Sequence, residues 1–512
     1  MLTQTQQETN AAANRPTTWS GFDRQYVNGA WRTGRSSRRV QDVNPFTGET
    51  ILEIPSADQT DLDEAYHSAA GSQPSWASAL PSERAEVMRR AAGIMEVRRS
   101  EFVDWLVRES GSTRLKAEIE WQFAQYVILE ASSMPHRVKG AVLPGDIPGK
   151  ECRVYRKPVG VVGVISPWNW PLQLSLRSVA PALAVGNGVV LKPSSDTPIT
   201  GGLILGKLFE EAGLPPGVLN VLVGAGSEIG DAFVRHATPR VISFTGSTAV
   251  GRQIASLSAE SAILKRLELE LGGNTPFVVL DDADLDYAAD AAAFGRFFHQ
   301  GQICMSVNRV IVDDSVFQPF LDRFVARVRS LKYGDPGQPD TFVGPIINRK
   351  QLEHLQQHIR AARDSGMKPL LDGDPQGLVL PPHVFADVPN DHPLAKDELF
   401  GPVAPVIRAR GEDDALRLAN ATEYGLSSAV ITRDGERGVR FANRIEAGMA
   451  HVNDQPVNDL PNNPFGGEKN SGIGRFGGDW AIAAFTTDQW LTVQHQPRRF
   501  PWDARELSKS QE

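Results

Sequence analysis

Four short runs rich in Val and Ile, "VVGVIS", "GVVLKPS", "VLNVLVG" and "RVISFTG", follow one another between residues 161 and 246. Segments of helical pattern alternate with them, over 172–185, 198–212, 228–237 and 248–257. Short apolar β-branched runs bounded by Gly and Pro read as strands. Strands that alternate with helices predict a parallel sheet with right-handed crossovers. The most apolar stretch, "VGVVGVISPWNWPLQLSL" (159–176), is cut by Pro167, Asn169 and Pro171 and followed by Arg177. It therefore reads as a buried parallel strand running into a loop, not as a membrane span.

The rest of the chain is arranged around that core. Residues 61–135 read mainly as helices. "SERAEVMRRAAGIMEVRRSEFVDWLVRESG" opens on a Ser/Glu cap signal after Pro81 and stops at Gly111. A second α/β stretch runs from "FVVLDDADLD" to about residue 460 and includes "RVIVDDSVFQPFLDRFVARVRSL", a strand followed by an amphipathic helix. A domain boundary is expected near 272–276. Two strand-like segments, 137–158 and 485–497, fall outside both sheets. Unpaired edges of that kind are covered by something, and another subunit is the expected cover.

At 512 residues the chain is long enough for two or more domains. A net charge of −8 with no basic block argues against nucleic acid and anionic membranes as partners. Two cysteines make no disulfide framework and no zinc motif, which fits a reducing compartment. Residues 1–20 lack an apolar core and carry only Arg15, so they read as a polar tail and not a targeting segment. A cytoplasmic location is expected.

Several motifs carry weak signals alone. "VLNVLVGAGSEIGDAFVRHA" leads a strand into Gly224, Gly226 and Gly230, a GxGxxxG spacing one residue longer than the dinucleotide fingerprint. An ordinary strand–helix turn explains it equally. "GGLILGK" lacks the hydroxyl a P-loop needs, because Leu208 follows. His354 and His358 share a helical face but lack the glutamate of a zinc motif, so no metal is expected. Lys192 ends a strand where parallel sheets bind ligands; it could serve a ribose, a 2′-phosphate or a surface ion pair. Gly246 and Ser247 in "SFTGS" suit a phosphate, or a plain helix cap.

The sharper constellation is centred on Cys304, in the Gly- and amide-rich break "FFHQGQICMSVNR". A thiolate is a soft nucleophile suited to a carbonyl carbon. Its intermediate needs an oxyanion donor, and Asn169 on the Pro-flanked "SPWNWP" loop offers an amide. Glu270 in "LELELGG" offers a base beside a Gly pair that would admit a close neighbour. Together they form an acyl-transfer set, although each has a bland reading: packing residue, turn residue, strand-end charge.

The ordered motifs "PWNWP", "KPSSDTP", "FTGS", "ELELGG", "GQIC", "ELFGP" and "PFGGEKNSGIGRFGG" resemble the aldehyde dehydrogenase superfamily over nearly the whole chain. The resemblance implies an α/β fold: a Rossmann-type parallel-sheet cofactor domain, an α/β catalytic domain and a small β oligomerisation element. The implied division is 21–136 and 159–273 for NAD(P), 274–462 for catalysis, 137–158 and 485–497 for oligomerisation. Residues 463–484 would return to the cofactor domain and the substrate pocket. It implies Cys304 as nucleophile, Glu270 as general base, and Asn169 with the Cys304 backbone N–H as the oxyanion hole. Cofactor contacts are implied for Ser166, Trp168, Lys192, Ser195, Gly226, Gly230, Phe244, Gly246, Ser247, Leu271, Glu398 and Phe400.

Two departures matter. Ser195 stands three residues after Lys192, where many NAD-using members carry Glu, which removes a repulsion from a 2′-phosphate and implies NADP acceptance alongside NAD. Asn274 replaces the lysine of the usual "GGK". The wording is most similar to the aromatic-aldehyde branch. An apolar pocket is implied from Trp170, Leu174, Phe298, Ile303, Met305, Val457 and Phe465, which suits a flat ring. Arg177, eight residues after Asn169, leaves three readings open: a carboxylate clamp, a phenol contact, or a partner for a nearby acid. The implied reaction is oxidation of a benzaldehyde- or vanillin-type aldehyde to its acid through a Cys304 thioester, in a homodimer or homotetramer. The alternatives are an acidic-semialdehyde dehydrogenase, a CoA-acylating enzyme and a non-catalytic homologue.

Overall fold

The four Val/Ile runs become the strands Val161–Ile165, Gly188–Lys192, Leu219–Val221 and Val241–Thr245. Arg266–Glu270 joins them, and all five run parallel in a computed structural model that describes residues 17–504. Most of the polar tail expected over 1–20, residues 1–16, lies outside the described residues. In space Val161–Ile165 is central: Gly188–Lys192 and then Leu219–Val221 lie on one side, Val241–Thr245 and then Arg266–Glu270 on the other. Antiparallel pieces finish both edges, the hairpin Gln25–Val27/Ala30–Arg32 and the short strand Gly472–Ile473.

This order creates a switch point. The chain builds outward from Val161–Ile165, then crosses back to lay down Val241–Thr245 on its free side. The crossovers leave in opposite directions there, so a crevice opens beyond the carboxyl ends of those two strands. Lys192, the 166–170 loop, Gly246 and Ser247 all stand at that end.

Glu270 closes the first sheet and Thr275 opens the second. The second sheet is ordered Pro369–Leu371, His383–Phe385, Val403–Ala409, Val307–Asp313, Thr275–Val279, Ala429–Ile431, His451–Val452. Only its first pair is antiparallel. Thr275 is in register with Val307. What precedes each strand, the 271–274 link and the cysteine turn, is thereby brought side by side.

The stretch read as one helical run over 82–111 is two helices, Pro81–Val97 and Arg99–Ser110. The spiral breaks at Arg98, at φ −102° and ψ 17°, and its side chain turns inward, bonding Thr17 O at 3.0 Å and stacking on Trp19 at 4.2 Å. The Ser/Glu signal is half right. Glu83 accepts from the Leu80 N–H at 2.9 Å with Pro81 at the first helical position, and Ser82 makes no cap. Gly111 does end the second helix, in the left-handed region at φ 64°.

The two outlying segments pair with each other. Ala141–Leu143, Lys150–Pro158 and Thr486–Gln494 form a three-stranded antiparallel sheet. No described helix is long and apolar enough to cross a membrane.

Candidate active site

The loop after Val161–Ile165 is stiffened by Pro167 and Pro171, and Pro171 opens the helix Pro171–Ala184. Between them Asn169 is buried and its Nδ2 donates to Gln302 O at 3.0 Å. That bond ties the loop to the cysteine turn. The turn itself is unusual: His299, Gln300 and Gly301 have φ of 50°, 57° and 71°. Side-chain residues rarely adopt that region, so the surroundings must hold them there. Gln300 Nε2 donates to Gly111 O and Pro345 O at 3.2 and 2.8 Å, and Gln302 Oε1 accepts from Ile347 N at 3.0 Å. The amides around Cys304 are scaffolding.

Cys304 reaches a crevice of about 250 Å³ that it shares with Trp168, Asn169, Gly246, Ser247, Leu271, Glu398 and Phe400. The Gly pair closes this space from behind. A methyl on Gly273 would strike the Cys304 carbonyl oxygen, and one on Gly272 would strike the Glu398 carboxylate. Gly273 N donates to Glu398 Oε1 at 2.8 Å. Trp168 and Phe400 meet edge to face at 5.5 Å.

Glu270 is almost wholly buried and neither of its oxygens has a hydrogen bond. Burial pushes its carboxyl up to about 8; Arg177 pulls it down, Asp459 pushes it up and Arg475 pulls it down. The Cys304 thiol is likewise pushed up, first by burial and then by the charge of Glu270, so the two groups lie within electrostatic reach. Arg177 comes within 3.6 Å of Glu270 and 3.4 Å of Asp459. Its guanidinium sits against the Phe465 and Phe476 rings at 4.3 and 4.6 Å. Of its three readings, pairing with nearby acids is the one this geometry supplies.

A second cavity of about 400 Å³ opens at the switch point, lined by Lys192, Gly226, Gly230 and Phe244 among others. The chain segment 244–247 contributes to the walls of both spaces. Lys192 is buried, its ammonium lowered to about 8 by desolvation, with only a 3.4 Å bond to Pro193 O. Space is open beside Gly226 and Gly230. Ser247 caps the helix Thr248–Ala259, leaving a helix N-terminus at the junction. An under-partnered buried cation, an open glycine turn and a helix start suit a dinucleotide. Ser166 and Ser195 line neither space: Ser166 is buried with its N–H on Lys192 O at 3.1 Å, and Ser195 is half-buried. Glu398 is half-buried, and desolvation raises its carboxyl to about 7.

Trp170, Leu174, Phe298, Ile303, Met305 and Phe465 fall into one buried apolar cluster, and Cys304 and Val457 pack against it. Trp170 and Phe298 meet edge to face at 6.0 Å, and Phe294 stacks on Phe298 at 4.8 Å. The structure adds residues that the motifs do not reveal. Asp459 anchors Arg177 and accepts from Gln173 Nε2 at 2.7 Å. Gln351 lines the crevice and donates to Leu399 O and Phe400 O, both at 3.0 Å. Neither stands in a patterned stretch. Asn274 has a structural task, accepting from Arg309 Nε at 2.5 Å and donating to Ala395 O at 2.8 Å. His358 bonds Asp397 at 3.0 Å.

Comparison with known proteins agrees with this arrangement. Residues 31–491 match the aldehyde dehydrogenase family. A vanillin dehydrogenase of Corynebacterium glutamicum is 51% identical over 479 residues, 93% of this chain and 99% of the relative. A benzaldehyde dehydrogenase of Bacillus subtilis is 48% identical over 481 residues, 94% of this chain and 99% of the relative. The crystal structure of a NAD-dependent benzaldehyde dehydrogenase from Corynebacterium glutamicum superposes with a TM-score of 0.86 at 48% identity, covering 92% of this chain and 98% of that one. This chain is a member of the aldehyde dehydrogenase family.

Proposed function

We propose that the protein oxidises aromatic aldehydes of the benzaldehyde, hydroxybenzaldehyde or vanillin type to their carboxylic acids with NAD(P). One observation carries the reading: Cys304 and Asn169 meet in a crevice that adjoins the cavity of about 400 Å³ at Lys192, with Glu270 in reach and an aromatic-rich cluster behind the thiol. The named relatives act on vanillin and benzaldehyde.

The Cys304 thiol gives its proton to solvent water, the thiolate sulfur bonds to the aldehyde carbon, and the carbonyl oxygen takes the negative charge. Asn169 has a second N–H besides the one on Gln302, and it donates to that oxygen. Such a donor is worth about 3 kcal/mol, roughly a hundredfold in rate. The dinucleotide, when bound, supplies the hydride acceptor; Lys192, Gly246, Ser247, Glu398 and Phe400 would hold it. Cys304 then carries a thioester. Glu270 takes a proton from water, the resulting hydroxide attacks the thioester carbonyl, and the acid leaves as sulfur is released. Phe298, Trp170 and Ile303 present apolar faces to the ring. Arg177 is committed to Asp459 and Glu270, which disfavours it as a clamp for an acidic aldehyde.

Position 195 carries Ser and not Glu, and Lys192 lines the cavity; we infer acceptance of NADP⁺ as well as NAD⁺ from these two, with Glu228 and Asp231 the carboxylates on the same wall. We infer a cytoplasmic homodimer or homotetramer: a chain with two free cysteines suits a reducing compartment, and the exposed apolar face of the three-stranded sheet supports assembly. An aldehyde panel run with both cofactors tests the reading. Benzaldehydes should give the highest kcat/KM and yield acid without CoA. Faster turnover of succinate semialdehyde, or a requirement for CoA, would overturn it.

A further inference from the structure

Behind the Asn169 loop lies an ion pair that the reaction scheme does not use. Lys116 and Glu120 stand one turn apart on the helix Arg114–Ser133, and both side chains are fully buried. Lys116 Nζ bonds to Glu120, to Ser112 Oγ at 2.9 Å and to the carbonyl oxygen of Asn169 at 2.7 Å. It also lies 4.9 Å from the centre of the Trp170 ring. The other Glu120 oxygen accepts from the N–H groups of Leu172 and Gln173 at 2.9 and 3.3 Å. The pair thus grips the backbone on both sides of the Asn169–Pro171 corner: one carbonyl before the helix, two N–H groups at its first turn.

Stability does not account for such a device. Burying two charges costs as much as their attraction returns, and apolar replacements of similar volume are often neutral or stabilising. Fixed position is what charge-assisted bonds of this kind supply. Asn169 is held at its carbonyl by Lys116 and at its amide by Gln302, so its remaining N–H has a set direction.

We propose that Lys116 and Glu120 are positioning residues of the oxyanion site, holding the Asn169–Gln173 backbone so that the Asn169 amide meets the developing oxyanion. This rests on Asn169 being the oxyanion donor. The test pairs Lys116→Met and Glu120→Gln, each alone and combined with Asn169→Ala. Glu120→Gln keeps one acceptor oxygen for Leu172 and Gln173 and turns the oxygen that accepts from Lys116 into an NH2 donor, so it breaks the pair while leaving the helix-side bonds.

Two rates are read per titrated Cys304 thiol: the burst of reduced cofactor with benzaldehyde, and p-nitrophenol release from p-nitrophenyl benzoate. The ester needs the same oxyanion donor and no cofactor. Lys116→Met should slow both at least tenfold with cofactor KM within twofold. In the Asn169→Ala background the same change should cost less than threefold, because the group being positioned is gone. Undiminished rates, or an equal loss with and without Asn169, would overturn the inference; so would a loss of titratable thiol at an unchanged rate per site, which marks mere structural support. If Lys116→Met yields no folded protein, Glu120→Gln carries the same cycle. An Asn169→Ala enzyme with normal rates would instead overturn the oxyanion assignment, and this inference with it.

Discussion

Glu270 is the residue whose surroundings say most about rate. A base must be ionised to take a proton from water, and burial has raised this one to about 8. Where hydrolysis of the thioester limits turnover, kcat should rise about tenfold per pH unit below 8 and level off above it. Arg177 is the largest charge opposing that rise, so Arg177→Leu should move the whole profile to higher pH. Steady-state kcat against pH for both proteins checks this; a coincident pair of curves would separate Arg177 from Glu270. Stability carries the opposite sign. A carboxyl raised on folding contributes stability fully present below its ordinary value of 4.5 and lost as pH climbs through about 8. Between pH 6 and 9 the wild-type Tm should therefore fall further than that of Glu270→Gln. The same variant should retain a burst of reduced cofactor and lose steady turnover. Cys304, Asn169 and Glu270 can be singled out in sequence because each sits in a stretch odd for packing, but each has a bland reading there and only the family resemblance joins them into one set. The Arg177–Glu270 approach is not legible: 93 positions separate the two, and only the return from Pro171–Ala184 to the end of Arg266–Glu270 brings them together.

At the scale of elements, the glycines divide into two kinds. Gly273 lies where two strands of the second sheet begin side by side, and a methyl there would overlap the Cys304 carbonyl oxygen. Gly273→Ala must push back the backbone of the nucleophile, an overpacking cost of roughly 1–3 kcal/mol. Its kcat should fall more than tenfold while near-native far-UV circular dichroism persists. Gly226 is different: nothing lies within 4 Å of an added methyl, and φ there is not positive. The methyl would project into the 400 Å³ cavity. Gly226→Ala should keep its Tm and raise the cofactor KM, which titration with each dinucleotide would show. The Val/Ile runs made the first sheet readable, because strands buried on both faces have little choice of residue. The break at Arg98 was not readable. An arginine in the middle of an otherwise helical run carries no local stop signal, and its inward turn depends on Thr17, Trp19 and Glu211, all distant in sequence.

Among the described residues, the three-stranded sheet leaves a surface unfinished. The sheet of Ala141–Leu143, Lys150–Pro158 and Thr486–Gln494 stands apart from both large sheets, and its longest edge strand has nine residues. Trp490 is 67% exposed and Val142 76%, with Leu143, Tyr155 and Leu491 also exposed. A long open edge carrying large apolar side chains is what monomeric proteins avoid. A second copy of the chain would cover it, since homo-oligomers bury such faces by symmetry. Cys304, Asn169, Glu270 and the cavity at Lys192 are all built from one chain, so assembly would support the site without completing it. Trp490→Glu places a charge where the apolar contact must form. Sedimentation should then shift from an oligomer toward the monomer, with a lower Tm, while the burst of reduced cofactor per thiol stays within twofold. A wild-type chain that sediments as a monomer would show that this sheet has no such cover. A loss of the burst along with the oligomer would show that a neighbouring chain reaches into the crevice after all.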